Sequence, residues 1–196
     1  MRRALPFLAA AAVIVVLVVG LSQAGGSGGG SSSPARTRPF HLQSALAGLR
    51  GAPQPLAGLH RQASEILRGG TRVLEARLKT LRGHPVVLNK WASWCGPCRH
   101  EFPFFEHVSA RRGKQVAFLG INSGDNTADA RQFLSEFPLT YPSYEDPSEK
   151  LARAVGAPAN YPITVFLDAK GRQAFIRQGG YASEAQLDRD IDRYLG

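Results

Sequence analysis

The amino-acid sequence predicts an α/β fold in which helices cover both faces of a mixed central sheet. Short apolar segments, typical of buried parallel strands, alternate with segments of helical periodicity. The chain then closes with a hairpin signal and a final helix. This order of elements is that of a three-layer α/β/α sandwich.

The strands and helices can be placed in order along the chain. Strands are expected at residues 86–91, 116–121 and 163–167, followed by a turn at 168–171 and a hairpin partner at 173–177. Helices are expected at residues 95–110, 127–137, 148–155 and 183–195, with Pro103 as a kink in the first. Thr127 and Ser183 are the predicted caps of the helices that they begin.

Residues 40–83 are predicted to form a helical extension ahead of the main domain, which spans residues 84–196. Apolar residues recur at helical spacing between residues 45 and 81 and predict two short helices. Gly69 and Gly70 separate these helices, and Gly83 ends the second.

Residues 1–24 have the pattern of a signal anchor or a signal peptide. Arg2 and Arg3 precede an uncharged apolar run at residues 4–21, close to the ~20 residues that a membrane span needs. The basic start predicts a single pass through the cell membrane with the following domain outside. Cleavage after Ala24 would instead give a secreted protein. Residues 25–39, rich in Gly, Ser and Pro, are the predicted flexible linker.

The formal net charge of +9 does not by itself indicate a nucleic-acid partner. The densest basic cluster beyond the N-terminus, Arg111, Arg112 and Lys114, has no aromatic recognition motif beside it. A mixed basic surface is the simpler interpretation, so no nucleic acid is expected. Attraction to anionic lipid or to an acidic partner also fits the charge.

Cys95 and Cys98, the two cysteines of the chain, carry the strongest chemical signal. They lie in the sequence WASWCGPC, residues 91–98, between a predicted buried strand and a predicted helix. A disulfide that closes so short a loop stabilises a fold little, which favours a redox role. The N–H groups and the positive dipole at a helix N-terminus favour a thiolate at Cys95. Cys95 is therefore the predicted nucleophile, and Cys98 the residue that resolves the mixed disulfide.

Other uses of the cysteine pair fit the sequence less well. Covalent haem attachment needs His after the second cysteine, where Arg99 stands. A zinc site would need His100 and His107 as further ligands, whereas structural zinc sites usually draw their ligands from two separated knuckles. A purely structural disulfide is disfavoured by the short loop. Neither a metal nor another cofactor is expected.

Residues 86–104, VVLNKWASWCGPCRHEFPF, resemble the active-site region of the thioredoxin superfamily. They are most similar to the membrane-anchored TlpA/ResA/CcmG type of extracytoplasmic thiol-disulfide oxidoreductases, which carry a redoxin domain. The resemblance extends from about His84 to the C-terminus and implies a thioredoxin-like fold. It also implies exported proteins as substrates, a transmembrane electron donor as partner, and a task such as cytochrome c maturation.

A second segment, Tyr161-Pro162 followed by the predicted strand at residues 163–167, resembles the cis-proline strand of this family. A cis bond there would leave the backbone of Tyr161 open to pair with an extended substrate. Trp94 is expected to form an apolar lip beside Cys95. The expected substrate-binding residues are Trp94, Gly96, Pro97, Tyr161 and Pro162.

Three further residues are expected to support the cysteines. Asn89 stands where thioredoxins carry a buried acid, and it cannot accept the proton of Cys98. Glu101 is the candidate acceptor, with an ordinary charge on the helix surface as the alternative. Lys90 replaces an apolar aromatic residue common in the group. Its charge would favour the Cys95 thiolate if it pointed that way.

The sequence therefore predicts an extracytoplasmic enzyme that reduces disulfides in exported proteins through Cys95 and Cys98. Two alternatives fit the same residues. One is an oxidant of this fold that forms disulfides, because the direction of electron flow depends on reduction potential. The other is a non-catalytic thioredoxin-like binding module. A peroxidase is disfavoured because the cysteines are paired as CxxC.

Overall fold

The computed structural model of the protein describes residues 39–196. Its strands are β1 (Ile66–Leu67), β2 (Val86–Trp91), β3 (Ala117–Ser123), β4 (Ser143–Asp146), β5 (Ile163–Leu167) and β6 (Gln173–Gln178). Its helices are α1 (Leu42–Gly48), α2 (Leu56–His60), α3 (Gly70–Thr80), α4 (Gly96–Arg112), α5 (Thr127–Glu136), α6 (Lys150–Ala154) and α7 (Glu184–Leu195).

The strands form one mixed sheet in the order β1-β4-β3-β2-β5-β6. The first four strands in this order are parallel to one another, whereas β5 is antiparallel to both β2 and β6. β2 therefore lies near the centre of the sheet, and its carboxyl end leads into α4. The predicted mixed sheet is confirmed.

Two apolar cores, one on each face of the sheet, give the predicted three layers. Trp91 of β2 packs with Phe102 of α4 and Phe133 of α5, with ring centroids 5.0 and 5.1 Å away, and α7 joins this core. Leu88 of β2 lies in the other core with Leu74 of α3, together with α2 and α6. One strand serves both cores because successive side chains point to opposite faces.

The region before residue 84 differs from the prediction of two short helices. Its described residues, 39–83, form three helices and a short strand, β1, at Ile66 and Leu67, which were expected in a helix. These two residues pair with Ser143 and Tyr144 at the edge of the sheet. A two-residue strand has no periodicity that a sequence could display, so its pairing with β4 decides its conformation.

β4 has no counterpart among the predicted strands, because its sequence, Ser-Tyr-Glu-Asp, is largely polar. Asp146, the last residue of β4, is buried, and both oxygen atoms of its carboxylate are hydrogen-bonded. Its carboxylate accepts hydrogen bonds from Ser123 Oγ and from the N–H groups of Leu151 and Ala152, at 2.8 to 3.0 Å. These bonds fix α6 to the end of β4.

The caps of two helices were predicted, one correctly. Ser183 Oγ accepts a hydrogen bond from the N–H of Gln186 and caps α7 as expected. The cap of α5 is Asn126 and not Thr127, because Asn126 Oδ1 accepts from the N–H of Asp129 at 2.9 Å. Thr127 instead donates its hydroxyl to Glu145.

Within residues 39–196, no helix has the length and apolar character needed to cross a membrane. The predicted signal segment, residues 1–24, lies outside the described residues. So do residues 25–38 of the predicted linker.

Candidate active site

Cys95 and Cys98 lie where β2 passes into α4. Cys95 is the N-cap residue of this helix, and its sulfur accepts a hydrogen bond from the N–H of Cys98 at 3.1 Å. The two residues form a disulfide, with their Cα atoms 5.2 Å apart. Cys95 is 4% exposed and Cys98 is 0% exposed, so an incoming substrate meets Cys95 first. The N–H groups at this helix end favour a negative charge on the Cys95 sulfur.

Asp125 holds the loop that leads to Cys95. Its carboxylate accepts the N–H of Ser93 at 2.6 Å and the hydroxyl of Ser93 at 2.8 Å. Asn122 Nδ2 donates to the same carboxylate at 2.8 Å. The sequence analysis missed Asp125, although a signal exists: it follows β3, and the carboxyl ends of parallel neighbours such as β2 and β3 meet at one edge of a sheet.

Trp94 forms an exposed aromatic rim beside the cysteines. Trp94 is 61% exposed, and its ring lies 4.9 Å, centroid to centroid, from the ring of Tyr161. Its indole N–H donates to the carbonyl oxygen of Gly124 at 3.0 Å. Gly124 has a φ of +58°, and a Cβ there would lie 2.8 Å from Tyr161 Oη, so a glycine is required between the two rings.

The peptide bond between Tyr161 and Pro162 is cis, at the start of β5. Gly180, two residues after β6, lies between this bond and the first turn of α4. A Cβ built on Gly180 would be 3.4 Å from the carbonyl oxygen of Pro97 and 3.6 Å from Pro162 Cγ. The cis proline therefore neighbours the first turn of α4, in which Gly96 and Pro97 are exposed.

Glu101 lies in the interior, so the surface alternative is wrong for this residue. It is 0% exposed, and its carboxyl group accepts hydrogen bonds from Asn89 Nδ2 at 2.9 Å and from the N–H of Tyr181 at 3.1 Å. Burial raises the pKa of Glu101 to about 7, against the opposing effects of these hydrogen bonds and of Arg177. Glu101 follows Cys98 by three residues and therefore shares its face of α4.

Lys90 faces away from this helix, because it alternates along β2 with Asn89 and Trp91. It is 2% exposed, and its ammonium group donates to Glu149 Oε2 at 3.0 Å and to the carbonyl oxygens of Pro158 and Ala159 at 2.9 and 3.1 Å. The condition for an effect on the Cys95 thiolate, that the charge of Lys90 points toward Cys95, is therefore not met. Glu149 was another residue that the sequence analysis missed.

The fold brings together most of the residues that the sequence singled out. The two cysteines and the five predicted substrate-binding residues lie around the N-terminus of α4, and Asn89 joins Glu101 in the interior. The histidines considered for a zinc site lie apart, with His100 against Phe104 and His107 against Phe40. No three His, Cys, Asp or Glu side chains among residues 39–196 are grouped to hold a metal ion.

The Redoxin family model matches residues 71–191, more than half of the 196-residue chain. The chain belongs to the redoxin family. The match covers the cysteine pair, the cis peptide bond between Tyr161 and Pro162, and every strand from β2 to β6.

Named relatives support this assignment of the redoxin. The thiol-disulfide oxidoreductase ResA of Geobacillus thermodenitrificans is 32% identical over 122 residues, which cover 62% of this chain and 67% of ResA. The thiol:disulfide interchange protein DsbE of Pseudomonas fluorescens biotype C is 38% identical over 92 residues, covering 46% of this chain and 49% of DsbE.

A solved structure of similar fold is that of a secreted Mycobacterium tuberculosis disulfide oxidoreductase homologous to E. coli DsbE. Its TM-score is 0.53 at 25% identity, and the match covers 59% of this chain and 85% of the other. The predicted thioredoxin-like fold is confirmed, and so is the predicted class of enzyme: this redoxin is a thiol-disulfide oxidoreductase.

Proposed function

We propose that this redoxin reduces disulfide bonds in exported proteins, apocytochrome c among them. The observation that carries the proposal is the arrangement of three side chains. Cys95, the more exposed of the two cysteines, caps the N-terminus of α4, Cys98 is fully buried, and a buried carboxyl group, Glu101, lies one turn further along the same helix. This arrangement supports a directed, two-step transfer of electrons to a disulfide.

The first step is attack by the Cys95 thiolate of the reduced enzyme on one sulfur of the substrate disulfide. A mixed disulfide forms between Cys95 and the substrate, and the second substrate sulfur leaves as a thiolate. Cys98 then attacks the sulfur of Cys95. The Cys95–Cys98 disulfide closes, the first substrate sulfur is released, and two electrons have passed from the cysteine pair to the substrate.

The second step needs a group that removes the proton of Cys98. Asn89 cannot accept it, but Asn89 donates a hydrogen bond to Glu101 and so orients that carboxyl group. With a pKa of about 7, Glu101 can both accept and release a proton near neutral pH. We therefore assign Glu101 as the proton acceptor for Cys98.

The proposed place of action is the outer side of the cell membrane. The apolar run at residues 4–21 would anchor the domain, and residues 25–39 would tether it at a distance from the membrane. The secreted M. tuberculosis relative supports an extracytoplasmic role. A transmembrane electron donor would return the cysteine pair to its reduced state.

Trapping of substrates tests the proposal directly. In cells that express the full-length Cys98→Ser variant, Cys95 can form a mixed disulfide that nothing resolves. We expect exported proteins to accumulate in such adducts, released by dithiothreitol and absent from the Cys95→Ser, Cys98→Ser double variant. A Cys98→Ser variant that captures no exported protein would exclude this function.

The reduction potential of the full-length protein distinguishes reduction from oxidation. Equilibration with glutathione or dithiothreitol, followed by thiol trapping, measures it. A value near that of thioredoxin, about −270 mV, is expected for a reductase. A value near about −120 mV would make the protein an oxidant that forms disulfides.

A further inference from the structure

Lys90 is a buried charge on the central strand of the sheet, and all of its hydrogen-bonding capacity is used. An ammonium group has three donors. Those of Lys90 meet three acceptors at 2.9 to 3.1 Å: the carboxylate of Glu149 and the carbonyl oxygens of Pro158 and Ala159. The lysine side of this ion pair is buried, whereas the side chain of Glu149 is partly exposed.

Two of the three acceptors belong to the segment that leads into the cis peptide bond. Pro158 and Ala159 precede Tyr161 by three and two residues. Lys90 Nζ also lies 4.0 Å from the centroid of the Tyr161 ring, within the range of a cation–π contact. A single side chain of β2 thus holds both the backbone and the aromatic ring of residues 158–161.

The third acceptor, Glu149, ties this segment to the start of α6. Glu149 has a φ of +57°, a left-handed conformation that is uncommon outside glycine. From this position its carboxylate reaches Lys90. The buried cation therefore connects β2, the start of α6 and the cis-proline segment at one point.

Stability alone gives little reason for this arrangement. A buried ion pair can often be replaced by apolar side chains of similar volume without loss of stability, since desolvation offsets the attraction. An apolar side chain would also fill the space under Tyr161, but it would offer no donor to the two carbonyl oxygens. Lys90, unlike an apolar residue, fixes the conformation of residues 158–161, which lie beside the cysteines.

We infer that Lys90 is a positioning residue that holds the Tyr161–Pro162 segment in the conformation that docks the backbone of a protein disulfide. The inference rests on the proposed function, because that function makes a polypeptide the substrate. Trp94 and Tyr161, 4.9 Å apart, form the rim against which such a polypeptide packs. Small disulfides, which do not pair with a backbone, depend on this segment much less.

The test compares the full-length protein with its Lys90→Met variant. Methionine keeps the length and apolar stem of the side chain but cannot donate. We expect kcat/KM with insulin to fall more than kcat/KM with 5,5′-dithiobis(2-nitrobenzoate), a small disulfide. The difference should be roughly ten- to hundredfold, the scale on which misplacing a positioned group acts. The loss with insulin should lie in KM. Deuterium uptake should rise in the peptide that covers residues 157–163.

A second variant separates positioning from folding. Lys90→Met leaves the carboxylate of Glu149 without its partner, which destabilises the protein. The Lys90→Met, Glu149→Leu double variant removes both charges and should regain most of the lost stability. We expect it to keep the raised KM for insulin, because the carbonyl oxygens of Pro158 and Ala159 still lack their donor. A double variant with the wild-type KM would overturn the inference.

Three further outcomes are decisive. Unchanged deuterium uptake in residues 157–163 would overturn the inference whatever the substrate. Equal losses with insulin and the small disulfide, together with a shifted equilibrium with glutathione, would place the effect at the cysteines and also overturn it. A wild-type protein that reduces the small disulfide but no protein disulfide would instead refute the proposed function, while the uptake data would still decide the role of Lys90.

Discussion

Glu101 links the stability of the protein to pH. Its pKa is raised from 4.5 to about 7 by burial, so the folded state holds the proton more tightly than the unfolded state does. The neutral carboxyl group therefore contributes stability that is fully present below pH 4.5. That contribution is lost as the pH rises through about 7, because the ionised group must then be kept in the interior.

The Glu101→Gln variant should remove this pH dependence. Glutamine stays neutral, and Asn89 can turn its amide so that its Oδ1 atom, which has no partner in the wild type, accepts from the new NH₂ group. Urea unfolding should show a gain of at most about 3 kcal/mol over the wild type at pH 8 and little gain at pH 4. The exposed Glu75→Gln change is the control. An equal gain at both pH values would contradict the raised pKa.

The same substitution should slow the chemistry that the proposed function assigns to Cys98. Without an acceptor for its proton, the resolution of a mixed disulfide at Cys95 should slow about a hundredfold or more. Stopped-flow single turnovers between pH 5 and 9 would measure this step. The dependence on a group with a pKa near 7 should disappear.

Glu106 provides a matched control for this kinetic experiment. It lies on the same helix, and burial raises its pKa to about 7 as well, but it is eight residues from Cys98. The Glu106→Gln variant should keep the pH profile of the resolving step. If both variants lost the profile equally, the effect would belong to the helix as a whole and not to Glu101.

Trp94 should contribute to substrate binding more than to stability. Its ring is largely exposed, so truncation to alanine removes little buried surface. The KM for insulin should rise about tenfold or more, as is typical for truncation of an aromatic anchor at an interface. The Trp94→Phe variant keeps an aromatic contact with Tyr161 and should bind insulin better than the Trp94→Ala variant does. A Trp94→Ala variant with unchanged KM would show that substrates avoid the rim.

Among the elements, those with a local signal could be predicted from the sequence. β2 and β3 each begin with a run of apolar residues, β5 is apolar except for Thr164, and Ser183 starts its helix with a capping pattern. β4 could not be predicted, because its polar side chains are satisfied by partners distant in sequence, such as Ser123 for Asp146. Buried polar groups need such hydrogen-bond partners, and partners distant in sequence cannot be recognised from the local pattern of apolar and polar residues.

The cap of α5 gives an element-scale prediction that separates two adjacent residues. Asn126→Ala removes the acceptor for the N–H of Asp129 and should lower the free energy of unfolding by about 1 kcal/mol. Thr127→Ala removes only a hydrogen bond to the side chain of Glu145 and should cost less. Urea unfolding of both variants would measure the difference. A larger loss of stability for Thr127→Ala than for Asn126→Ala would contradict this assignment and favour Thr127, the cap that the sequence predicted.

For the molecule as a whole, the cysteine pair could be located from the sequence, but the distant residues that hold the surrounding loops in place could not. Cys95 and Cys98 are adjacent in a motif, and their helix position follows from the residues around them. The groups that fix their surroundings come from afar: Asp125 reaches Ser93 across 32 residues, and Glu149 reaches Lys90 across 59. Only the folded sheet brings these residues to one edge.

Residues 39–83 are an integral part of the same structure. β1 extends the sheet, and the ring nitrogens of His60 lie 3.1 and 3.0 Å from the carbonyl oxygens of Thr140 and Gly113. Leu56, Leu59 and Leu74 are buried in the core beneath β2. The helices before residue 84 therefore form much of one layer of the sandwich.

A chain shortened to residues 84–196 should consequently fail to fold cooperatively. It would lose the five buried leucines of residues 39–83, each contributing roughly 1.5 to 3 kcal/mol, and their sum is comparable with the 5 to 15 kcal/mol that stabilises a typical domain. It would also expose the face of β2 that carries Leu88. Circular dichroism during urea unfolding should show a cooperative transition for residues 39–196 and none for residues 84–196. If the shorter chain unfolded at the same midpoint, the extension would be a separable module, and its contacts with the sheet would contribute nothing to stability.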